Sequence, residues 1–170
     1  MNKNYTLLAI TAGIAAIMIY RGMKQSTTAG GSAEKGRGYR NNNPLNIRIS
    51  GNAWQGKVPA YNNTDKVFEQ FTTMAYGFRA AMVNIRTYIT NYGAKTVQAI
   101  ISKWAPATEN STSSYINHVC QLAGFAPNTV IDPANKDQMC RLVKAMAFIE
   151  NGYYVTGIDN YVNEAWNLYK

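Results

Sequence analysis

The run DQMCRLVKAMAFIENG, Asp137 to Gly152, constrains the fold more than any other stretch of the chain. Its apolar residues Met139, Leu142, Val143, Met146 and Ile149 recur at helical spacing, and the pattern stops at a glycine, the residue that most readily closes a helix. One apolar stripe has to be buried against other elements, so a helical domain is expected to assemble around it. Glu150 follows Met146 by four and Val143 by seven, which puts its carboxyl at the edge of the buried stripe.

A carboxylate is ill placed there. The end of a helix disfavours negative charge and partial burial raises a carboxyl pKa, so both effects favour a protonated Glu150 near neutral pH. A protonated carboxyl in a cleft is what a glycosidase uses to donate a proton to a leaving sugar oxygen. A glutamate bonding a neighbouring backbone amide satisfies the same periodicity, and both readings stay open on the residues alone.

The other helices read the same way. Phe78, Met82, Ile85 and Ile89 form a stripe closed by Gly93; Thr96 caps a helix carrying Val97, Ile100, Ile101 and Trp104 and stopped by Pro106. A third helix is expected from Ser111 or Thr112 to Gly124 with Tyr115, Ile116, Val119 and Leu122 on its stripe. A last one is expected from about Asp159 to Tyr169 with Tyr161, Ala165 and Trp166 inward. Before them, NIRIS (Asn46 to Ser50), WQGKV (Trp54 to Val58) and KVFEQF (Lys66 to Phe71) are β-prone runs separated by turn residues, which predicts a small antiparallel hairpin or three-stranded sheet. The expected class is mainly α (α+β).

The N-terminus is different in kind. Tyr5 to Tyr20, YTLLAITAGIAAIMIY, carries no charge and lies between Lys3 and the pair Arg21 and Lys24, so residues 1–24 are expected to form a membrane anchor with a helix over about 5–22. A secretory signal peptide competes, but the run ends in an aromatic and basic cluster where a cleavage site would need small residues. Residues 25–38, QSTTAGGSAEKGRG, have the composition of a flexible tether, leaving 39–170 as the folded domain.

Net charge is +8, so an anionic partner is expected: lipid headgroups, the bacterial envelope or nucleic acid. The basic residues are scattered singly, which argues against a specific nucleic-acid stripe. Cys120 and Cys140 lack metal-ligand spacing and His118 is the sole histidine, so no metal site is expected. Both cysteines fall in helical stretches and pack as small apolar residues, with a bridge open to them outside the cytoplasm.

Two loops concentrate polar groups. RNNNPLNIR, Arg40 to Arg48, sets Asn41, Asn42, Asn43 and Asn46 around Pro44; so many amides either bond their own backbone or face a ligand such as a sugar. Trp54 and Tyr61 are candidate platforms for sugar rings, while Trp104 lies on its own apolar stripe and reads as core. Glu109, in WAPATEN before a helix start, is expected to be ionised. It reads as a capping residue or as a second carboxylate, a role for which Asp65 and Glu69 compete. Glu69 alternates with Phe68 and is expected to face away from it.

The motifs RGYRNNNPLNIR, W-x-G, F-x-x-F, GFRAA, WAPATENST-x-x-YI and AMAFIENG together resemble a family of phage virion-associated peptidoglycan-degrading proteins that includes the lytic enzyme of cystoviruses. The likeness runs from about Arg37 to Gly152. AMAFIENG and NNPLNIR are also similar to two features of lysozyme-like transglycosylases, taken in reversed order, which implies a circularly permuted lysozyme-like domain. The resemblance puts the general acid at Glu150 and places Arg40, Asn41, Asn42, Asn43, Pro44 and Asn46 along a glycan cleft. It implies no cofactor. Its partners would be the glycan strand of peptidoglycan, a lipid membrane through the N-terminal helix and other virion proteins, with the protein anchored by a single pass in a virion membrane or the host inner membrane. Three functions follow as expectations: a lytic transglycosylase or lysozyme-like glycosidase, a murein endopeptidase, or a non-catalytic virion or murein-binding protein.

Overall fold

The computed structural model describes residues 36–105 and 109–170. They form α1 (Arg37–Arg40), α2 (Met74–Tyr92), α3 (Val97–Trp104), α4 (Glu109–Ala123), α5 (Lys136–Asn151) and α6 (Ile158–Tyr169), so the domain is mainly helical as its periodicity predicts. The run Tyr5 to Tyr20 lies outside the described residues, among which no helix is long and apolar enough to cross a membrane.

Local chemistry explains where the helices start and stop. Thr73, Thr96 and Asn135 each accept, through the side chain, a backbone N–H from the first turn of α2, α3 and α5. Gly93 and Gly152 close α2 and α5 in left-handed conformation. α2 packs mainly on α6 and α4 on α5, around a core that includes Phe78, Met82, Ile85, Trp104, Met139 and Leu142. On α4 the buried stripe is Tyr115, Val119, Cys120 and Ala123; Leu122, expected inward, is exposed. Cys120 and Cys140 are free, and burial pushes both thiols up.

The expected hairpin or three-stranded sheet is corrected. Residues 46–71 are joined by isolated antiparallel bridges, Arg48 with Phe68 and Lys57 with Phe71, and form no strand ladder. The reason lies in the backbone and the amides. Asn46 and Lys66 hold φ of 50° and 68°, outside the β region. Side chains take the groups a ladder would use: Asn43 Nδ2 donates to Ile47 O and Glu69 O, Asn43 Oδ1 accepts from Ile47 N, and Asn63 Nδ2 donates to Phe68 O.

The fold also begins earlier than the tether boundary at residue 38 implies. Gly38 is buried in α1, where a Cβ would stand 2.6 Å from Asn151 Oδ1. Gly77 lets α2 approach the Asn-rich loop: a Cβ there would stand 2.0 Å from the Asn42 carbonyl oxygen. These contacts bring α1, the loop, α2 and the end of α5 together.

Candidate active site

Glu150 lies in the last turn of α5 and is 5% exposed, deeper than the stripe edge its spacing implies. Two side chains from elsewhere in the chain hold its carboxyl. The Tyr115 hydroxyl, from α4, donates to Oε1 at 2.9 Å, and Asn46 Nδ2, from the Asn-rich loop, donates to Oε2 at 3.0 Å. Burial pushes the Glu150 pKa up to about 7, against the hydrogen bonds from Asn46 and Tyr115 and the pull of the nearby Trp104 indole. Trp104 Nε1 itself is buried short of hydrogen-bonding geometry. The result is an acid populated near neutral pH, with donors ready to receive its conjugate base. Burial first, and then the charge and hydrogen bond of Glu150, push the Tyr115 pKa well above its ordinary value, so its proton stays in place as a donor.

Asn151, the next residue, ties the same two segments together. Its Nδ2 donates to Pro44 O and to Ala147 O, each at 2.8 Å. The Asn-rich loop is thus pinned to the end of α5 at two points, the Pro44 carbonyl and the Asn46 side chain.

The other asparagines bond inward. Asn43 is fully buried on the backbone of Ile47 and Glu69. Asn42 Nδ2 donates to the Phe71 and Thr72 carbonyls. Asn41 donates to Asp65 Oδ2 at 2.6 Å and accepts from Gln70 Nε2. Of the four, Asn46 alone has a hydrogen bond to Glu150. Arg40 ends α1 as an exposed residue. Trp54 is half-buried against the core with its Nε1 unpartnered, while Tyr61 is 84% exposed on a turn.

Two of the candidate second carboxylates, Asp65 and Glu69, serve the frame. Burial works to raise the Asp65 carboxyl, but hydrogen bonds from Arg37, Asn41 and the Phe68 N–H together with the Arg37 charge hold it well below the usual carboxylate range. Arg37 grips it at 2.6 and 2.7 Å. Glu69 and Phe68 are both buried and keep different company: Glu69 meets Lys57 Nζ at 2.8 Å and the Ser50 N–H at 2.9 Å, while Arg37 and Arg48 lie over the Phe68 ring. Glu109 opens α4, so the helix starts before Ser111; its side chain lies outside the described residues.

Spacing did not single out Tyr115, which reads as one more stripe residue. A signal was present all the same: a buried tyrosine hydroxyl needs a partner. Asn151 carries no signal in the sequence beyond standing before a helix-closing glycine.

Fold and site together define a mainly helical domain in which the buried carboxyl of Glu150 joins the end of α5 to α4 and to the Asn-rich loop. Protein P5 of Pseudoalteromonas phage PM2 is 34% identical to this chain over 155 residues, covering 89% of the chain and 88% of the phage protein. The chain belongs to the family of that phage protein. No family model matches it.

Proposed function

We propose that the chain is a phage enzyme that cleaves the glycan of peptidoglycan, with Glu150 as the general acid. The observation that carries this reading is Glu150 itself: a carboxyl out of bulk solvent, bound to the Asn-rich loop through Asn46, with a pKa raised to about 7 by burial. An acid of that strength can give up a proton at neutral pH, and a single one is enough for the route in which the sugar attacks itself.

In the proposed reaction Glu150 protonates the oxygen between N-acetylmuramic acid and N-acetylglucosamine, and the C–O bond breaks. The C6 hydroxyl of the muramic residue then attacks its own C1 while the Glu150 carboxylate takes the hydroxyl proton, which restores the acid and leaves a 1,6-anhydro end. Asp65 and Glu69 are both engaged in the frame, and that favours this lytic transglycosylase route over one needing a second free carboxylate. The resemblance to a circularly permuted lysozyme-like domain supports the same reading. So does membership of a phage protein family. Attachment to a virion membrane through Tyr5 to Tyr20 belongs to the proposal and rests on the apolar run alone.

Digestion of purified murein with the full-length chain, followed by mass spectrometry, tests it. Fragments lighter by one water than hydrolytic muropeptides are expected. Glu150→Gln should slow their release by on the order of 10²- to 10⁴-fold, the usual worth of a positioned acid. Intact murein, or equal release by the variant, overturns the proposal.

A further inference from the structure

The hydrogen bonds around Glu150 suit one protonation state only. Tyr115 and Asn46 both donate, so both carboxyl oxygens accept, as a carboxylate requires. The acid form is also populated near neutral pH, and its own proton then needs an acceptor.

Asn46 carries one that nothing else uses. Its Oδ1 is buried and has no hydrogen-bond partner. Rotation of the amide by half a turn exchanges Nδ2 for Oδ1 at Glu150 Oε2 without changing the volume of the side chain. The far end gives up no bond in the exchange. The alternatives are poorer: Trp104 Nε1 only donates, and the Tyr115 hydroxyl, buried and bonded to Glu150, would have to redirect its own proton before accepting.

We propose that the Asn46 side-chain amide is a two-position partner of Glu150, donating Nδ2–H to the carboxylate and, turned over, accepting the acid proton on Oδ1. The surroundings let the amide move while the backbone stays. Asn46 N donates to Asn43 O at 3.0 Å, and Asn43 pins the neighbouring Ile47. Beside the free end stands Gly38, where a Cβ would lie 3.0 Å from Oδ1, so the absence of a side chain there leaves the amide its room. The groups facing Glu150 are Tyr115 from α4, Trp104 from α3 and Asn46 from the loop after α1, and its titration is governed by burial and these three.

The inference deepens the proposed role of Glu150 as proton donor, but the amide motion belongs to the unliganded protein and is tested without a glycan, so its failure is distinct from a failure of that role. The full-length chain, labelled at asparagine and glutamate, is followed by NMR from about pH 5 to about pH 9, which brackets the Glu150 midpoint. Below that midpoint the Asn46 amide protons should show a cross-peak to the Gly38 α-protons, and above it that cross-peak should disappear. An amide on the same side at both ends of the titration overturns the proposal. Asn46→Leu supplies a second readout. Because the amide serves both protonation states, its loss should move the Glu150 midpoint less than Tyr115→Phe does, and a larger shift also overturns the proposal. Should the leucine variant fail to fold at its left-handed position, the cross-peak decides alone.

Discussion

Tyr115 on α4 and Glu150 at the end of α5 share a hydrogen bond of 2.9 Å in which the hydroxyl donates to Oε1, with both side chains buried. The bond joins two of the most closely packed helices and does electrostatic work as well, since it stabilises the charged form of a carboxyl that burial disfavours. Tyr115→Phe removes the donor and keeps the ring. The Glu150 midpoint should then rise above about 7, carrying the alkaline limb of the proposed murein cleavage to higher pH, with a stability loss of about 1 kcal/mol in urea. An unmoved pH profile would separate Tyr115 from the acid.

Glu150 also sets the sign of one pH effect on folding. Its folded pKa is raised from 4.5 to about 7, so its contribution to stability is fully present below 4.5 and is lost as pH rises through 7. The loss amounts to about 3 kcal/mol. Glu150→Gln, which cannot ionise, should therefore gain on the wild type between about pH 5 and about pH 8 by roughly that amount. Urea unfolding of both proteins at the two pH values measures it, and parallel curves would mean Glu150 is not desolvated. Asp65 acts oppositely, its depressed pKa giving stability that is lost in acid.

Gly77 should tolerate no side chain. In Gly77→Ala the new Cβ meets the Asn42 carbonyl oxygen at 2.0 Å and Pro44 Cδ at 2.8 Å, and the first is backbone. Overpacking of this kind costs about 1–3 kcal/mol, and here the strain falls on the loop that carries Asn46. The expected result is a lowered urea midpoint together with a displaced Asn46 amide resonance.

Lys57 and Glu69 form a pair best tested by a double-mutant cycle. Glu69 is fully buried, its Oε1 meets Lys57 Nζ at 2.8 Å, and its Oε2 has no partner. Lys57→Met should destabilise by about 3–5 kcal/mol, because it leaves a buried charge uncompensated. Lys57→Met with Glu69→Gln should recover most of that loss. If the two changes simply add, the pair is not the tie that holds residues 50–57 against residue 69.

The helices were legible because their signals are local. The apolar repeat of Met139, Leu142, Val143 and Met146, the cap Thr96 and the stops Gly93 and Gly152 each act within a turn or two of chain, so they can be read without knowing what packs where. Glu150 stood out for the same reason: a carboxyl on the border of a buried stripe is conspicuous in a linear pattern. The β-prone runs misled, because propensity alone does not register that Asn43 and Asn63 claim backbone groups a sheet would need or that Asn46 and Lys66 sit at positive φ.

What no local pattern carries is the company Glu150 keeps. Asn46 is 104 residues away and Tyr115 is 35, and they reach one carboxyl only because α1, the loop, α4 and α5 share a single core. The four asparagines are alike in sequence, yet three bond into the frame and one reaches the acid. Burial and hydrogen bonding are properties of the assembled molecule, and they set both the pKa of Glu150 and the division of labour among its neighbours.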